Sequence, residues 1–353
     1  MSHYSRIQRL SNANGISGFE DSVLSIIREE GDGLGRFEED HLRNLYLYRE
    51  GNTGNRPLVH LDAHTDEVGF MVKAIRDDGM LEFIPIGGWV TTNIPAHLVR
   101  VMTRDGNSIV GVVGSKPPHY ASEAERKSAP EFSSLYIDIG AQSRDEAKAW
   151  GVAVASPVVP EAELKEMQGG LLLGKAFDCR LGCAAILDVF DHLKGKALDV
   201  DLAAGFASQE EVGLRGAGLT ANRIKADVAI CFEGSPADDT FLPPYQQQTR
   251  VGHGPMLRHI DRTMITNARF QRFALDVAEE AGLPVQEGVR EGGGTNAGAI
   301  HLSQQGVPTI VLGIPVRYAH THWGVASAED VETTVKLALA IIAKLDEETI
   351  ASF

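Results

Sequence analysis

Apolar and polar positions follow different periods in different parts of this chain. Behind Ser17-Gly18-Phe19-Glu20, which has the form of a capping box, Phe19, Val23, Ile26 and Ile27 recur at helical spacing, so the start of the chain is predicted to be helical. Leu58-Val59-His60-Leu61-Asp62-Ala63 reads as a buried strand that stops at the polar run His64-Thr65-Asp66-Glu67. From about Gly69 to Val159 short β-rich runs alternate with Gly, Pro and Asp turns: Phe70 to Ile75, Leu81 to Pro85, Leu98 to Thr103, Ile109 to Val113 and Leu135 to Ile139. Within this region Lys116 to Phe132 is a polar loop, and Ser143 to Trp150 a short helix capped by Ser143 and Glu146.

After Gly169 strands and helices alternate again. Helices are expected at Gly182 to Leu193, Ala268 to Ala281 and Ala297 to Gln304. Strands are expected at Leu202 to Ser208, Asp227 to Phe232 and Pro308 to Gly313. A final helix has Ser327 as N-cap and Val331, Val335, Leu339 and Ile342 on one face. The expected architecture is an α/β domain, residues 1–68 and 160–353, interrupted by a β domain at 69–159. A length of 353 residues exceeds what a single core usually organises, which agrees with two domains.

Composition narrows the class without naming a ligand. With 43% hydrophobic and 23% charged residues this is an ordinary globular chain. A net charge of -15 argues against nucleic acid as a partner, because phosphate binding requires a basic surface. No apolar run approaches the ~20 residues needed to span a bilayer, and MSHYSRIQRL lacks an apolar signal core. Cys179, Cys183 and Cys231 are odd in number and show no zinc-ribbon spacing, which fits a reducing, cytoplasmic setting.

The acids and histidines fall where strands end. In open α/β sheets ligands bind at the carboxyl ends of strands. The run to Ala63 is followed by His64 and Asp66, Leu171 to Phe177 by Asp178, Ala203 to Ser208 by Glu210-Glu211, Val228 to Phe232 by Glu233, and Thr309 to Pro315 by Arg317-Tyr318-Ala319-His320. Hydrolytic zinc sites combine imidazole nitrogen with carboxylate oxygen and leave one position open for water. Two histidines and three carboxylates suffice for two metals ~3.5–4 Å apart when one carboxylate bridges. A further carboxylate, free of metal, can then act as general base; the adjacent Glu210 and Glu211 offer one residue for each job. Taken singly, each residue has a plainer reading. A lone histidine after a strand is ordinarily a satisfied one, and an acidic pair ordinarily a solvated face. Asp66 either caps a turn or holds the His64 ring in its ligating tautomer. Spacing alone does not choose between His320 and His322. Gly292-Gly293-Gly294-Thr295-Asn296-Ala297-Gly298 lacks the lysine of a phosphate loop and is read as close backbone approach before a helix capped by Thr295 or Asn296.

Five stretches in order then carry a family resemblance: His64-Thr65-Asp66-Glu67-Val68-Gly69; Lys175-Ala176-Phe177-Asp178-Cys179-Arg180-Leu181-Gly182-Cys183; Gln209-Glu210-Glu211-Val212-Gly213-Leu214-Arg215-Gly216-Ala217; Gly293-Gly294-Thr295-Asn296-Ala297-Gly298-Ala299-Ile300; and Pro315-Val316-Arg317-Tyr318-Ala319-His320-Thr321-His322. The chain resembles the TET-type dinuclear metallo-aminopeptidases, which include glutamyl and deblocking aminopeptidases. The resemblance implies a mixed-sheet α/β/α zinc-exopeptidase fold with an inserted PDZ-like β-barrel used for dimerisation. It implies two divalent metals, zinc usually, cobalt often, with manganese accepting similar ligands. His64, Asp178 and Glu233 would hold one; Asp178, Glu211 and His320 the other, with Asp178 bridging. Glu210 would be the general base and Asp66 would orient His64. The implied reaction is attack of a metal-bridged hydroxide on the first peptide bond of short peptides, in a homo-oligomer that forms a tetrahedral dodecamer. Three positions depart from the common pattern: Glu233 stands for an aspartate, Cys179 for Asp or Asn beside a peptide bond often cis, and Asn296 for an aspartate whose charge near the pocket is lost. A deacylase or amidase on the same metals, an endoglucanase-type glycosidase, and an inactive binding protein are the alternatives. The paired histidines argue against the glycosidase, which needs two carboxylates and no metal.

Overall fold

The computed structural model describes residues 3–353. Met1 and Ser2, the first residues of the stretch read above for a leader, lie outside the described residues. Helices α1 (His3–Asn12) and α2 (Asp21–Glu30) precede strands β1 (Gly35–Glu39), β2 (Leu45–Arg49) and β3 (Leu58–His64). The chain then builds β4 (Gly69–Ile75), β5 (Leu81–Ile86), β6 (Leu98–Met102), β7 (Ser108–Gly114), the short helix α3 (Glu123–Lys127), β8 (Tyr136–Asp138), helix α4 (Arg144–Ala149) and β9 (Pro157–Pro160). Strands β10 (Lys165–Glu166) and β11 (Leu171–Gly174) lead to helix α5 (Phe177–Leu193), then β12 (Asp201–Ala207), α6 (Ala217–Ile224) and β13 (Val228–Pro236). The remainder is β14 (Met256–Ile260), α7 (Ala268–Glu280), β15 (Gln286–Val289), α8 (Ala297–Ile300), β16 (Thr309–Val316), β17 (Gly324–Ser327), α9 (Ala328–Lys344) and α10 (Glu347–Ala351).

Eight strands form one mixed sheet in the order β1-β2-β12-β3-β13-β16-β14-β15. Its centre, β12-β3-β13-β16, is parallel, so the strands point their carboxyl ends the same way. Alternation of side chains across β3 decides what each face carries. Val59, Leu61 and Ala63 join the main core with α5, while His60, Asp62 and His64 lie on the other face. Helix α5 packs on β3 and β13 and is covered by α1 and α9; α6 and α8 cover the opposite face. Helix α5 is buried along nearly its whole length, and its Gly182 is required there: a Cβ would stand 2.5 Å from Cys179 Sγ and 3.0 Å from Phe232 Cβ. Strands β4 to β9 close into a barrel around their own apolar cluster, which includes Phe70, Phe83, Val99 and Ile137. The barrel and the α/β sheet are thus the two architectures the sequence predicts.

Several local expectations change. Ser17 does not cap a helix: α2 begins at Asp21 with Glu20 at its N-cap and no side-chain cap, because Ser17 and Glu20 bond elsewhere. Helix α8 ends at Ile300 rather than Gln304, and neither Thr295 nor Asn296 caps it. Asn296 already has helical φ and ψ, and its amide is spent on Asp62. Strand β13 runs past Glu233 to Pro236 because β16 lies beside it in parallel register to Val316.

Candidate metal centre

Three neighbouring parallel strands deliver acids and a histidine to one end of the sheet. His64 is the last residue of β3, Glu210 and Glu211 follow β12, and Glu233 lies near the end of β13. Asp178 enters from the first turn of α5, where it and Cys179 are non-helical and the Asp178–Cys179 peptide is cis. Gly234 makes room for that turn: a Cβ there would lie 2.5 Å from the Asp178 Cα. His320 comes from the loop between β16 and β17, in the left-handed region at φ 59°.

The resulting distances are those of a ligand cluster. His64 Nε2 lies 3.0 Å from Asp178 Oδ1 and 3.8 Å from Glu233 Oε1. His320 Nε2 lies 3.5 Å from Asp178 Oδ2 and 3.4 Å from Glu211 Oε2. Neighbouring ligands on one tetrahedral zinc, at bond lengths of ~2.0–2.1 Å, stand about 3.4 Å apart. Asp178 therefore turns one oxygen to each histidine, with a carboxylate from Glu233 on one side and from Glu211 on the other. The donor atoms of Asp178, Glu211 and His320 lie within 4.8 Å of one another, as do those of His64, Asp178, Cys179 and Glu233. Cys179 is set apart by its chemistry: burial pushes its thiol well above the ordinary value, and its Sγ donates to the Phe232 carbonyl at 3.1 Å. Glu210 groups with His64 and Glu211, apart from the two clusters that share Asp178.

Charge makes the same point. Burial raises Glu210 well above the usual carboxylate range and Glu233 to about 7, and repulsion from neighbouring carboxylates adds to both. Burial also opposes charge on Asp178, yet hydrogen bonds from His320 and His64 outweigh it and hold that carboxyl low. Burial alone would lower His64, but the Glu210 charge and the Asp178 contact drive it well up. Four buried carboxylates against two imidazoles is an excess of negative charge that divalent cations neutralise, so the donor set fits the metals.

The two histidines are oriented by main-chain carbonyls. His64 Nδ1 lies 3.0 Å from the Asp66 carbonyl, and 3.5 Å from Asp66 Oδ1. His320 Nδ1 lies 3.0 Å from the Gly88 carbonyl, contributed by the barrel. A hydrogen bond at Nδ1 leaves Nε2 as the ligating atom. The Asp66 carboxylate faces His64 Nδ1, as expected of it, and does more besides: Oδ1 accepts the Glu210 amide at 2.9 Å and Oδ2 the Glu211 amide at 3.1 Å. His322 does not join the centre; it is buried and stacks on His97 at 4.1 Å between ring centroids. Asn296 is no pocket residue either, since it is buried and donates to Asp62 Oδ2 at 2.8 Å.

Sequence reasoning assigned no role to Glu67, which is buried and accepts Lys175 Nζ at 2.6 Å and the Gly15 amide at 3.0 Å. The available signal was Lys175 and Arg180 flanking Asp178, since fully buried cations require an acidic partner. The centre opens into a cavity of about 860 Å³ whose lining also includes Arg258, Arg262, Arg290 and Glu291. Arg258 binds Asp261 and Ser235, and its Nε has no hydrogen-bond partner among the described residues; Arg262 is exposed.

Comparison with known proteins points the same way. Residues 44–337 match the family described as M42 glutamyl aminopeptidase. The chain is 33% identical over 354 residues to the glutamyl aminopeptidase of Lactococcus lactis subsp. cremoris, covering 99% of each. In structure it is similar to the TET aminopeptidase of Thaumarchaeota archaeon SCGC AB-539-E09, with TM-score 0.95, 37% identity and 99% of both chains covered. It is also similar to the TET1 peptidase of Pyrococcus horikoshii, which can assemble into a tetrahedron or a large octahedral shell, with TM-score 0.88, 29% identity and coverage of 98% and 100%.

Proposed function

The chain belongs to the M42 glutamyl aminopeptidase family and is a metal-dependent aminopeptidase, and from that premise we propose how its residues do the work. His64, Asp178 and Glu233 hold one divalent cation, and Asp178, Glu211 and His320 hold a second. The observation that carries this reading is the division of Asp178, with Oδ1 toward His64 and Oδ2 toward His320. The donor chemistry of two imidazoles and three carboxylates favours zinc, with cobalt or manganese as substitutes. When bound, the cations supply Lewis-acid polarisation of the scissile carbonyl and of the attacking water.

Glu210 is the general base. It takes a proton from the water as the water oxygen bonds to the carbonyl carbon, and passes it to the departing amine as the C–N bond breaks. Asp66 fixes Glu210 and Glu211 by their amides, and its carbonyl fixes His64. Substrates are short peptides. The arginine-bearing lining of the cavity favours an acidic first side chain, which a charge-assisted hydrogen bond would select by about 10–100-fold. Residues 1–68 and 160–353 form the catalytic unit, and the barrel at 69–159 is the insertion through which copies assemble into a tetrahedral dodecamer. Among the described residues no helix is long and apolar enough to cross a membrane. The three buried, unpaired cysteines support a cytoplasmic setting.

The test is elemental analysis of the purified protein, joined to a panel of aminoacyl-anilides and N-acyl amino acids. Two metals per chain and turnover of glutamyl- and aspartyl-anilides are expected. Turnover of N-acyl amino acids alone would make the protein a deacylase. Replacing Glu210 by Gln is expected to cut kcat by ~10²–10⁴-fold with metal content unchanged.

A further inference from the structure

Ser17-Gly18-Phe19-Glu20 carries the residues of a helix start, yet the structure sends the Ser17 side chain to another part of the molecule and shares the Glu20 carboxylate between its own loop and a distant turn. Ser17 Oγ donates to Asp66 Oδ2 at 2.6 Å. Glu20 Oε1 accepts the Gln209 amide at 3.2 Å and the Gly18 amide at 2.9 Å. With Asp66 accepting the next two amides, three successive N–H groups, those of Gln209, Glu210 and Glu211, end on two buried carboxylates. Gln209 is a non-glycine residue in the left-handed region, at φ 55°, so this turn needs outside support.

The supporting loop is itself anchored. The Glu67 amide donates to the Gly15 carbonyl at 2.9 Å, the Gly15 amide returns to Glu67 Oε1 at 3.0 Å, and Arg180 Nη2 reaches the same carbonyl at 3.1 Å. The segment between α1 and α2 is thus tied to the end of β3, the first turn of α5 and the turn after β12. Glu20 is buried with its second oxygen unpartnered among the described residues, an arrangement a local helix cap does not call for.

We infer that Glu20 is a positioning residue, assisted by Ser17: it holds the Gln209–Glu211 turn so that the Glu210 carboxylate meets the reacting water. This rests on the reading of Glu210 as general base. A misplacement of ~1 Å in such a group costs about 10²-fold in rate without altering substrate binding.

The test compares Glu20→Ala, Glu20→Gln and Ser17→Ala in the full-length, metal-loaded protein. Glu20→Ala is expected to lower kcat about 100-fold, with KM within about threefold and metal content unchanged. Glu20→Gln, which retains one oxygen for both amides, is expected to restore kcat to within a few fold. Amide hydrogen exchange across residues 208–214 is expected to rise in Glu20→Ala and to stay low in Glu20→Gln, with or without metal. Should Glu20→Ala fail to fold, Ser17→Ala serves in its place, with kcat falling roughly tenfold at constant KM. The inference is overturned if Glu20→Ala loses melting temperature alone and keeps kcat, if Glu20→Gln behaves as Glu20→Ala, or if Ser17→Ala keeps wild-type kcat. Glu210→Gln separates the two readings: full turnover there removes the base itself, whereas its inactivity beside an active Glu20→Ala removes only the positioning role.

Discussion

Replacing Gly234 by Ala is the smallest change that should dismantle the proposed metal pair. The added Cβ would stand 2.5 Å from Asp178 Cα, 2.7 Å from its Cβ and 2.9 Å from its nitrogen. Ordinary carbon contacts are ~3.5–4.0 Å, so strand or helix must yield by roughly 1 Å. All three contacts are to or beside backbone, which leaves no flexible side-chain end to swing aside. Overpacking of this kind costs about 1–3 kcal/mol. The displaced residue is the one proposed to serve both cations, so occupancy should fall at both sites together, and a ~1 Å shift should cost about 100-fold in kcat. Gly218→Ala is the control. A Cβ there meets nothing within 4 Å, and alanine within helix α6 should stabilise by ~0.5–1 kcal/mol. The assay measures metal per chain by elemental analysis, melting temperature, and anilide turnover on one preparation of each variant. A Gly234→Ala protein with two metals and wild-type kcat would refute the reasoning.

Other substitutions test other parts of the structure. His60 is fully buried, and burial lowers its pKa to about 3 against ~6.5 when unfolded. Below pH 6.5 the unfolded chain takes up a proton that the folded chain refuses, so stability is lost as pH falls toward 3, by roughly 2 kcal/mol at pH 5. His60→Leu should therefore narrow the gap in urea-unfolding free energy between pH 7.5 and pH 5; an unchanged gap would place the acid sensitivity elsewhere. Asn296→Ala should cost about 1–3 kcal/mol by stranding the buried Asp62 carboxylate, while leaving the ranking of glutamyl- and leucyl-anilides as it was. An altered ranking at unchanged stability would return Asn296 to the substrate pocket. Arg262→Glu should reverse the preference between glutamyl- and lysyl-anilides in kcat/KM, and an unaltered ratio would remove Arg262 from specificity.

Much of this architecture is written in short-range pattern, because strand ends and helix faces are local properties. The run Leu58 to Ala63 ends at His64 in the structure as it does in the pattern, and the β-rich runs from Gly69 to Val159 close into the barrel. Strands β1, β2, β9, β10, β14, β15 and β17 escaped notice, and for β1 and β14 the reason is local. Gly35–Glu39 alternates poorly between exposed and covered positions, and Met256–Ile260, though buried at its first three residues, carries Arg258 and His259, so neither shows an apolar run in the sequence. Glu233 looked like a strand end because its side chain is charged, yet β16 supplies backbone partners for three more residues. The choice between His320 and His322 depended on a contact far away in sequence, the stacking of His322 on His97 in the barrel. The same holds for Ser17 and Glu20: a capping pattern records which atoms are available, and only the fold decides that Asp66 and Gln209 receive them.

Anomalous diffraction from crystals grown with zinc examines the central assignment most directly. Two peaks about 3.5–4 Å apart are expected, one on each side of Asp178, the first bonded to His64 and Glu233 and the second to Glu211 and His320. A single peak, a pair held by other residues, or full turnover from protein shown to be free of metal would contradict it.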